Sequence, residues 1–534
     1  MAGFRTPEVP REQLVLWSQG LDDAIPVDHP VRHVVFLLQS AAFSETFAEM
    51  ANQYVLLEGK PPYHPRALAG LYLYGMLNGI RSSRRLEQAC YNRIDVIWLM
   101  SGQHPDHATI AAFVKKQGLR LRRLLRDTAL VAMKAGLVRL HHTAVDGTKI
   151  EADAGRGSVM KEEALVAALG LVEKEIGVLE AEWAANEARE KELWGEQVPW
   201  VPSGEGTVAE RVQKLERQQE RLEKALEAIG RRRAETVGSA TPQALASVTD
   251  PDSRVMKDKE GRSKPNYNAQ LAVDAAAGVI VAAEVNDQAE DSGLLRPLLE
   301  QVEENCGRLP TVASADSQYN TGPELAWLEE RQVTGYLPDN GQRSEVQSET
   351  MATQAALAAV AAGEELTEAQ WEALPKDKDG RLLKEAFRYD AEANVYRCPM
   401  RGELRPIRHS EDKKKWGTAI RVQYGGCSAC ASCPRAQMCC SDPSKGRTVN
   451  RDQYEGCRER LRSRMKSASA RQEYDLRRET VEPRFGYIKR TLGIRRFQLR
   501  GLEAVTTEWL CICTAVNLGI LLRNWEAVRQ VLGV

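Results

Sequence analysis

The sequence predicts an α/β protein in which a sheet is assembled from strands scattered between helices. Three observations carry that expectation. Apolar residues at helical spacing run from Val31 to about Leu137. Strand-like alternation begins at Leu137 and returns at Pro265. Between those strand regions, from about Met160 to Ala234, lies a long, charged helical stretch.

At 534 residues the chain exceeds one ordinary core, so two or three domains with insertions are expected. A hydrophobic content of 43% and a charged content of 28% fit a soluble globular protein and exclude a disordered or collagen-like one. No apolar run approaches the ~20 residues of a bilayer span, and the start, MAGFRTPEVPREQLVLW, lacks the apolar stretch of a signal peptide. A cytoplasmic location without membrane contact is therefore expected. There the eleven cysteines stay reduced, and any cluster among them points to metal before disulfides. A net charge of -1 disfavours a polyanionic partner, but its distribution matters more. Arg451 to Arg500 carries 15 basic and 7 acidic side chains. A second basic run, Lys115, Lys116, Arg120, Arg122, Arg123 and Arg126, falls on a predicted helix. Solvated helix faces are the plainer explanation of either run.

Taken in order, residues 1–136 read as an N-terminal helical, DNA-binding domain. VRHVVFLLQSAAF, RALAGLYLYGMLNGI and IAAFVKKQGLRLRRLL each keep helical spacing. SSRRLEQACYNRIDVIWLMSGQHPDHATIAAFVKK suggests two helices joined by a Gly- and Pro-containing turn, the outline of a helix-turn-helix. Residues 137–158 begin the core, with GLVRLHHTAVDGTKIEA as a first strand ending at Asp146. Residues 159–240 form a helical hairpin insertion, its two helices separated by VPWVPSGEGT. The core resumes over 241–340 with PNYNAQLAVDAAAGVIVAAEVN, a β-hairpin turning at Ala277 and Gly278. A helix, a strand ending at Asp316, another helix and the strand VTGYLPD follow. With the insertion removed, this order is that of an RNase H-like domain. Residues 341–468 are an insertion, first polar and Ala- and Glu-rich, then Cys-rich. Residues 469–534 complete the core, and apolar LEAVTTEWLCICTAVNLGILLRNWEAV is expected to pack against the sheet.

Three carboxylates stand where separate elements of one sheet can build a metal site. Asp146 and Asp316 close strands, and Glu482 lies on a helix with Arg478 one turn before it and Lys489 two turns after it. Arg478, Glu482 and Lys489 would share one helix face, and Pro483 should kink or locally unwind the helix. Hard oxygen ligands favour Mg2+ (or Mn2+), and two such ions ~3.5–4 Å apart support phosphoryl transfer. The cysteines form a second constellation: Cys398 in YRCPM, then CSACASCPRAQMCC from Cys427 to Cys440. Two-residue spacings suit thiolates around a structural Zn2+. Cys398, Cys430, Cys433 and Cys439 are the favoured set, with Cys427 or Cys440 as substitutes. Simple reduced thiols are the alternative, and they account for Cys90, Cys306, Cys457, Cys511 and Cys513. His141 and His142 read as strand or packing residues, since a metal-bound hydroxide needs no separate base.

The segments VDGTKIEADA, ASADSQYN and VEPRFGYIKRTLGIRRFQLRGLEAVTTEWLCICTAVNL resemble the three catalytic blocks of DDE transposases from bacterial insertion sequences. The N-terminal helices and Cys-rich insertion resemble the IS-eleven-eighty-two-like subgroup, related to the insertion sequence four/five superfamily. The likeness spans Asp28 to about Leu522. It implies metal binding by Asp146, Asp316 and Glu482, and cleavage of insertion-sequence ends followed by strand transfer. Double-stranded DNA, as terminal inverted repeats and as target, would be the partner of a nucleoid-associated homodimer. Arg478, Lys489, Arg490, Arg495, Arg496, Lys115 and Lys116 would contact phosphate. Relatives place a Tyr seven residues before the Glu; here that position is Asp475, and Tyr474 is eight before. Where relatives often show Ala-Gly-Tyr after the second Asp, this chain has Ser317, Gln318 and Tyr319. A non-catalytic, transposase-derived regulator or architectural protein, or a scaffold, is the rival expectation.

Overall fold

The computed structural model describes residues 20–54, 61–195, 208–235, 244–257, 261–339, 351–414 and 417–533. The expected break VPWVPSGEGT and the initial MAGFRTPEVPREQLVLW lie outside them.

Six helices come first: α1 (Pro30–Gln39), α2 (Ser44–Ala51), α3 (Pro65–Leu77), α4 (Ser83–Asn92), α5 (Ile94–Leu99) and α6 (His107–Lys134). Their starts follow local chemistry. His29 and His64 accept backbone N–H bonds at the entries to α1 and α3, each just before a proline that needs no partner there. Asp106 caps the 28-residue α6 by accepting from the Thr109 N–H at 2.6 Å. Their buried side chains join those of the sheet in one continuous apolar core.

The main sheet begins with β1 (His142–Glu151). The short β2 (Val159–Lys161) then leads into α7 (Glu162–Trp194) and α8 (Val208–Ala234), and β3 (Leu245–Ser247) returns to pair with β2 at the base of this hairpin. The hairpin has a small core of its own, including Leu165, Val172, Leu222 and Ile229. Next come β4 (Arg254–Lys257), β5 (Ser263–Asp274), β6 (Ile280–Asn286), α9 (Leu295–Cys306), β7 (Val312–Ser314), α10 (Gly322–Glu330) and β8 (Thr334–Tyr336). Strand β5 pairs antiparallel with β1 on one side and with β4 and β6 on the other, while β7 pairs parallel with both β1 and β8. Two strand ends differ from expectation. β1 runs five residues past Asp146, because its alternation continues through Ile150 against β5. β7 stops at Ser314, two residues short of Asp316.

A second, antiparallel sheet follows α11 (Met351–Ala362) and α12 (Glu368–Ala373). Its strands are β9 (Arg388–Asp390), β10 (Val395–Arg397), β11 (Glu403–Lys414), β12 (Gly417–Gly425) and, after the one-turn α13 (Ala436–Cys439), β13 (Val449–Asp452). Trp371, Phe387, Tyr396 and Tyr424 anchor a separate core there. Nothing in the sequence of this insertion marks a sheet, because strands such as ELRPIRHSEDKK are mostly charged and lack the apolar face that marks a strand.

The chain closes with α14 (Glu455–Met465), α15 (Ala468–Gly486), α16 (Leu502–Arg523) and α17 (Trp525–Leu532). By length and apolarity α16 alone among the described helices matches a membrane span, yet 89% of its most apolar window is buried inside the protein. It lies between α6 and the sheet. Asn517 bonds both the N–H and the C=O of Ile280 and also Thr128, and the Trp509 indole donates to the Gln270 carbonyl at 3.1 Å.

Candidate active site

Asp146 stands midway along the central strand β1, and the parallel register Ala144 to Ser314 carries the chain after β7 toward it. Asp316 opens the turn beyond β7, its carboxylate accepting from the Gln318 N–H at 2.8 Å. Burial pushes the Asp146 carboxyl above the ordinary carboxylate range; Arg477 and the Gly147 N–H oppose this, and the nearby charge of Asp316 adds to it. Asp316 is thus near enough for its charge to act on Asp146.

The group that decides their environment is Arg477. It donates to Asp146 Oδ2 at 2.8 Å and stacks over the Tyr474 ring, its side chain only 9% exposed. Burial disfavours its charge, but Asp146, Tyr474 and Asp316 together raise its pKa. The sequence reading singled out Arg478 and passed over Arg477. A signal was present: Ala470, Val481, Phe485 and Ile488 mark the buried stripe of α15, and Arg477 falls on that stripe. His142 fastens the same helix to the sheet, between Glu473 at 3.0 Å and Ser314 at 2.7 Å. That bonding gives it a bracing role.

Glu482 and Arg478 lie on the exposed side of α15, beside the stripe that carries Arg477. Lys489 turns inward instead, its ammonium reaching Thr148 Oγ1 at 2.5 Å and the Lys149 carbonyl at 3.1 Å. The expected single face of Arg478, Glu482 and Lys489 therefore ends at Gly486, where a π-helical turn over Tyr487–Thr491 changes the azimuth. Pro483 is held inside a helix that continues to Gly486, and the unwinding comes in that following turn.

Of the other expected phosphate contacts, Arg490 and Lys115 are exposed. Arg495 is exposed with its guanidinium near the Lys489 carbonyl, and Arg496 is paired with Asp153 at 2.9 Å. Lys116 lies over the Tyr54 ring and bonds the Gln53 carbonyl. Much of the basic run on α6 serves packing: Arg122 bonds Thr507 and Glu503, and Arg123 bonds Glu49.

Cys398, Cys430, Cys433 and Cys439 line one small cavity with Cys440, Trp371 and Phe387. Cys427 sits beside Cys398 across Gly402, where a Cβ would come within 2.7 Å of the Cys427 sulfur. Burial raises the Cys398 thiol and pushes Cys439 up to about 12. Among the described residues, no group of three His, Cys, Asp or Glu side chains is gathered closely enough to hold a metal ion.

Residues 397–522 match the family described as Transposase DDE domain, and residues 19–116 match that described as Transposase domain (DUF772). Both matches are to transposases. Together they support an insertion-sequence DDE transposase family and a transposase function in general, and they do not favour the regulator alternative. The first matched segment holds Glu482 and the clustered cysteines but neither Asp146 nor Asp316. No curated protein and no solved structure gives a match. A transposase family implies a DNA substrate, and the DDE kind typically uses a divalent metal.

Proposed function

We propose that this chain is a DDE transposase that cuts the ends of an insertion sequence and joins them to target DNA. The observation that carries the reading is the placement of Asp146 on β1 and of Asp316 just beyond its parallel neighbour β7, with the transposase-matched helix α15 bonded to Asp146 through Arg477. The strand order β4-β5-β1-β7-β8, with β6 also paired to β5 and only β1, β7 and β8 parallel, supports an RNase H-like core. The carboxylate oxygens of Asp146 and Asp316 suit magnesium or manganese, with Glu482 as a third ligand once its side chain turns inward. Bound there, the metal would supply Lewis-acid activation of the phosphodiester and of the attacking oxygen.

The chain's own groups do the positioning. Arg477 fixes the Asp146 carboxylate, and His142 braces α15 against β1. The exposed Arg478, Arg490 and Arg495 would offer their charge to a DNA backbone, while Lys489 is held inward against β1. Hydrolysis of one phosphodiester at each end frees a 3′-OH, which then attacks a target phosphodiester and expels its 3′-oxygen. The likeness to the IS-eleven-eighty-two-like subgroup extends the reading to a homodimer on paired ends. Cys398, Cys430, Cys433 and Cys439 line one cavity, and as soft donors they are the residues that would hold a structural zinc ion after drawing closer together.

The test uses a duplex carrying the inverted repeats that flank the coding sequence. Asp146→Asn, Asp316→Asn and Glu482→Gln should each abolish magnesium-dependent cleavage and leave duplex binding largely intact. Substantial cleavage by any of the purified variants removes that residue from the site.

A further inference from the structure

We propose that Lys149 is a further phosphate-binding residue of this site, held toward the DNA backbone by Asp291. The inference rests on the transposase reading above.

Lys149 lies three residues after Asp146 on β1, so strand alternation sends it to the opposite face, the face shared by Gly147. At Gly147 the missing side chain leaves room that other groups take. A Cβ there would come within 3.0 Å of Asp291 Oδ1 and would run into the Gln270 amide. The acid and the amide can therefore press against the backbone beside Lys149.

Asp291 is itself rigidly set. Its Oδ1 accepts from Asn268 Nδ2 at 2.6 Å and from Gln270 Nε2 at 2.8 Å, and Gln270 in turn accepts from the hydroxyl of Tyr319, three residues beyond Asp316. One buried chain of bonds thus ties Asp291 to the turn that carries Asp316. Lys149 Nζ lies 4.0 Å from Asp291 Oδ1, close enough for charge attraction and too far for a hydrogen bond. Asp291 therefore draws the ammonium into place without using up its N–H donors.

Exposure fits the same role. The Lys149 side chain is 25% exposed and the Asp291 side chain 11%, so the anchor is more covered than the cation it holds. Burial lowers the Lys149 pKa, while Asp291, Asp316 and Glu290 raise it, and Asp316 is one of the proposed metal ligands. Lys489 reaches the same two residues of β1 from the other side, through Thr148 and the Lys149 carbonyl. Two ammonium groups thus bracket the strand next to the carboxylate pair. The ligand chemistry this suits is a non-bridging phosphate oxygen of the DNA backbone at the scissile position.

A lysine that only neutralises Asp291 would account for the same contacts, so the test must read contact with phosphate. Binding of the flanking-repeat duplex is measured without divalent metal, with a natural phosphate or a neutral methylphosphonate at the scissile position. For the parent, the methylphosphonate should weaken binding about tenfold. For Lys149→Gln, binding to the natural duplex should already be about tenfold weaker, with a salt slope lower by roughly 1, and the methylphosphonate should cost little more. Lys149→Arg, which keeps the charge, should retain both the salt slope and the methylphosphonate penalty. It also covers the case in which Lys149→Gln does not fold. Asp291→Asn should keep the salt slope but lower the cleavage rate at saturating duplex. An unchanged salt slope and methylphosphonate penalty in Lys149→Gln overturns the inference alone, as does loss of both in a folded Lys149→Arg. If the parent neither binds nor cuts the repeat duplex, the transposase reading fails, and this inference falls with it.

Discussion

Replacing Arg477 with Met removes the one cation among the described residues that is bonded to Asp146, and leaves a buried carboxylate near a second one. The pair is closely held, at 2.8 Å, with side-chain exposures of 9% for the arginine and 20% for the aspartate. Breaking a buried pair by removing one partner costs about 3–5 kcal/mol. Asp146 keeps the Gly147 N–H bond and some exposure, so a value near the lower end, about 3 kcal/mol, is expected for Arg477→Met. In hydrogen exchange of peptides covering β1 and α15, that is roughly a hundredfold rise in local opening at neutral pH. Adding Asp146→Asn should recover much of the loss, because no charge is then left stranded, giving a coupling of about 1.5–3 kcal/mol.

The pH dependence has a defined sign. Without Arg477, Asp146 loses the group that opposes the effect of burial, so its folded pKa moves further above the unfolded one. Such a group contributes stability below the unfolded pKa and loses it as pH rises through the folded pKa. The gap between variant and parent should therefore be wide at neutral pH and narrow as the solution is acidified. A coupling within about 0.5 kcal/mol of zero, or a gap that does not move with pH, refutes the argument.

Two further outcomes follow from other groups. Burial pushes Glu324 up to about 7, even though its carboxylate accepts from the Arg296 N–H at 3.0 Å. Its ionisation therefore costs stability as pH rises from the ordinary glutamate value through 7. Glu324→Gln should leave stability unchanged near pH 5 and raise it near pH 8, by at most roughly 2–3 kcal/mol; a difference in melting temperature that is constant with pH counts against it. For the clustered thiols, elemental analysis of protein purified without added metal should find about one zinc per chain, lost on Cys430→Ser with Cys433→Ser. Zinc-free protein in that assay rejects the zinc proposal.

Much of the main sheet was legible because its signals are local. The alternation of β1 and β5, the turn at Ala277 and Gly278, and the periodicity of α6 and α16 are each carried by neighbouring residues and need no knowledge of the fold. The second sheet was not legible. Its strands are short or charged, and they are stabilised by aromatic contacts between Tyr389, Tyr396 and Tyr424, which are apart in the chain. The site divides in the same way. Asp146 and Asp316 stand out by motif as candidates, but Arg477 does not, because its importance comes from a bond across 331 residues of sequence.

By itself, the sequence determined the element types of the helices and the main sheet, the carboxylates offered for chemistry, and the cysteine cluster, because backbone periodicity and side-chain chemistry are properties of short segments. Only the tertiary structure decided which of two adjacent arginines meets Asp146 and which way Lys489 turns. It alone set the Asp291 carboxylate behind Lys149. A helix rotates by about 100° per residue, so neighbours such as Arg477 and Arg478 have opposite fates once one face is pressed against a sheet. The stripe of Ala470, Val481 and Phe485 marks locally which face is buried, but what that face meets depends on packing between distant strands.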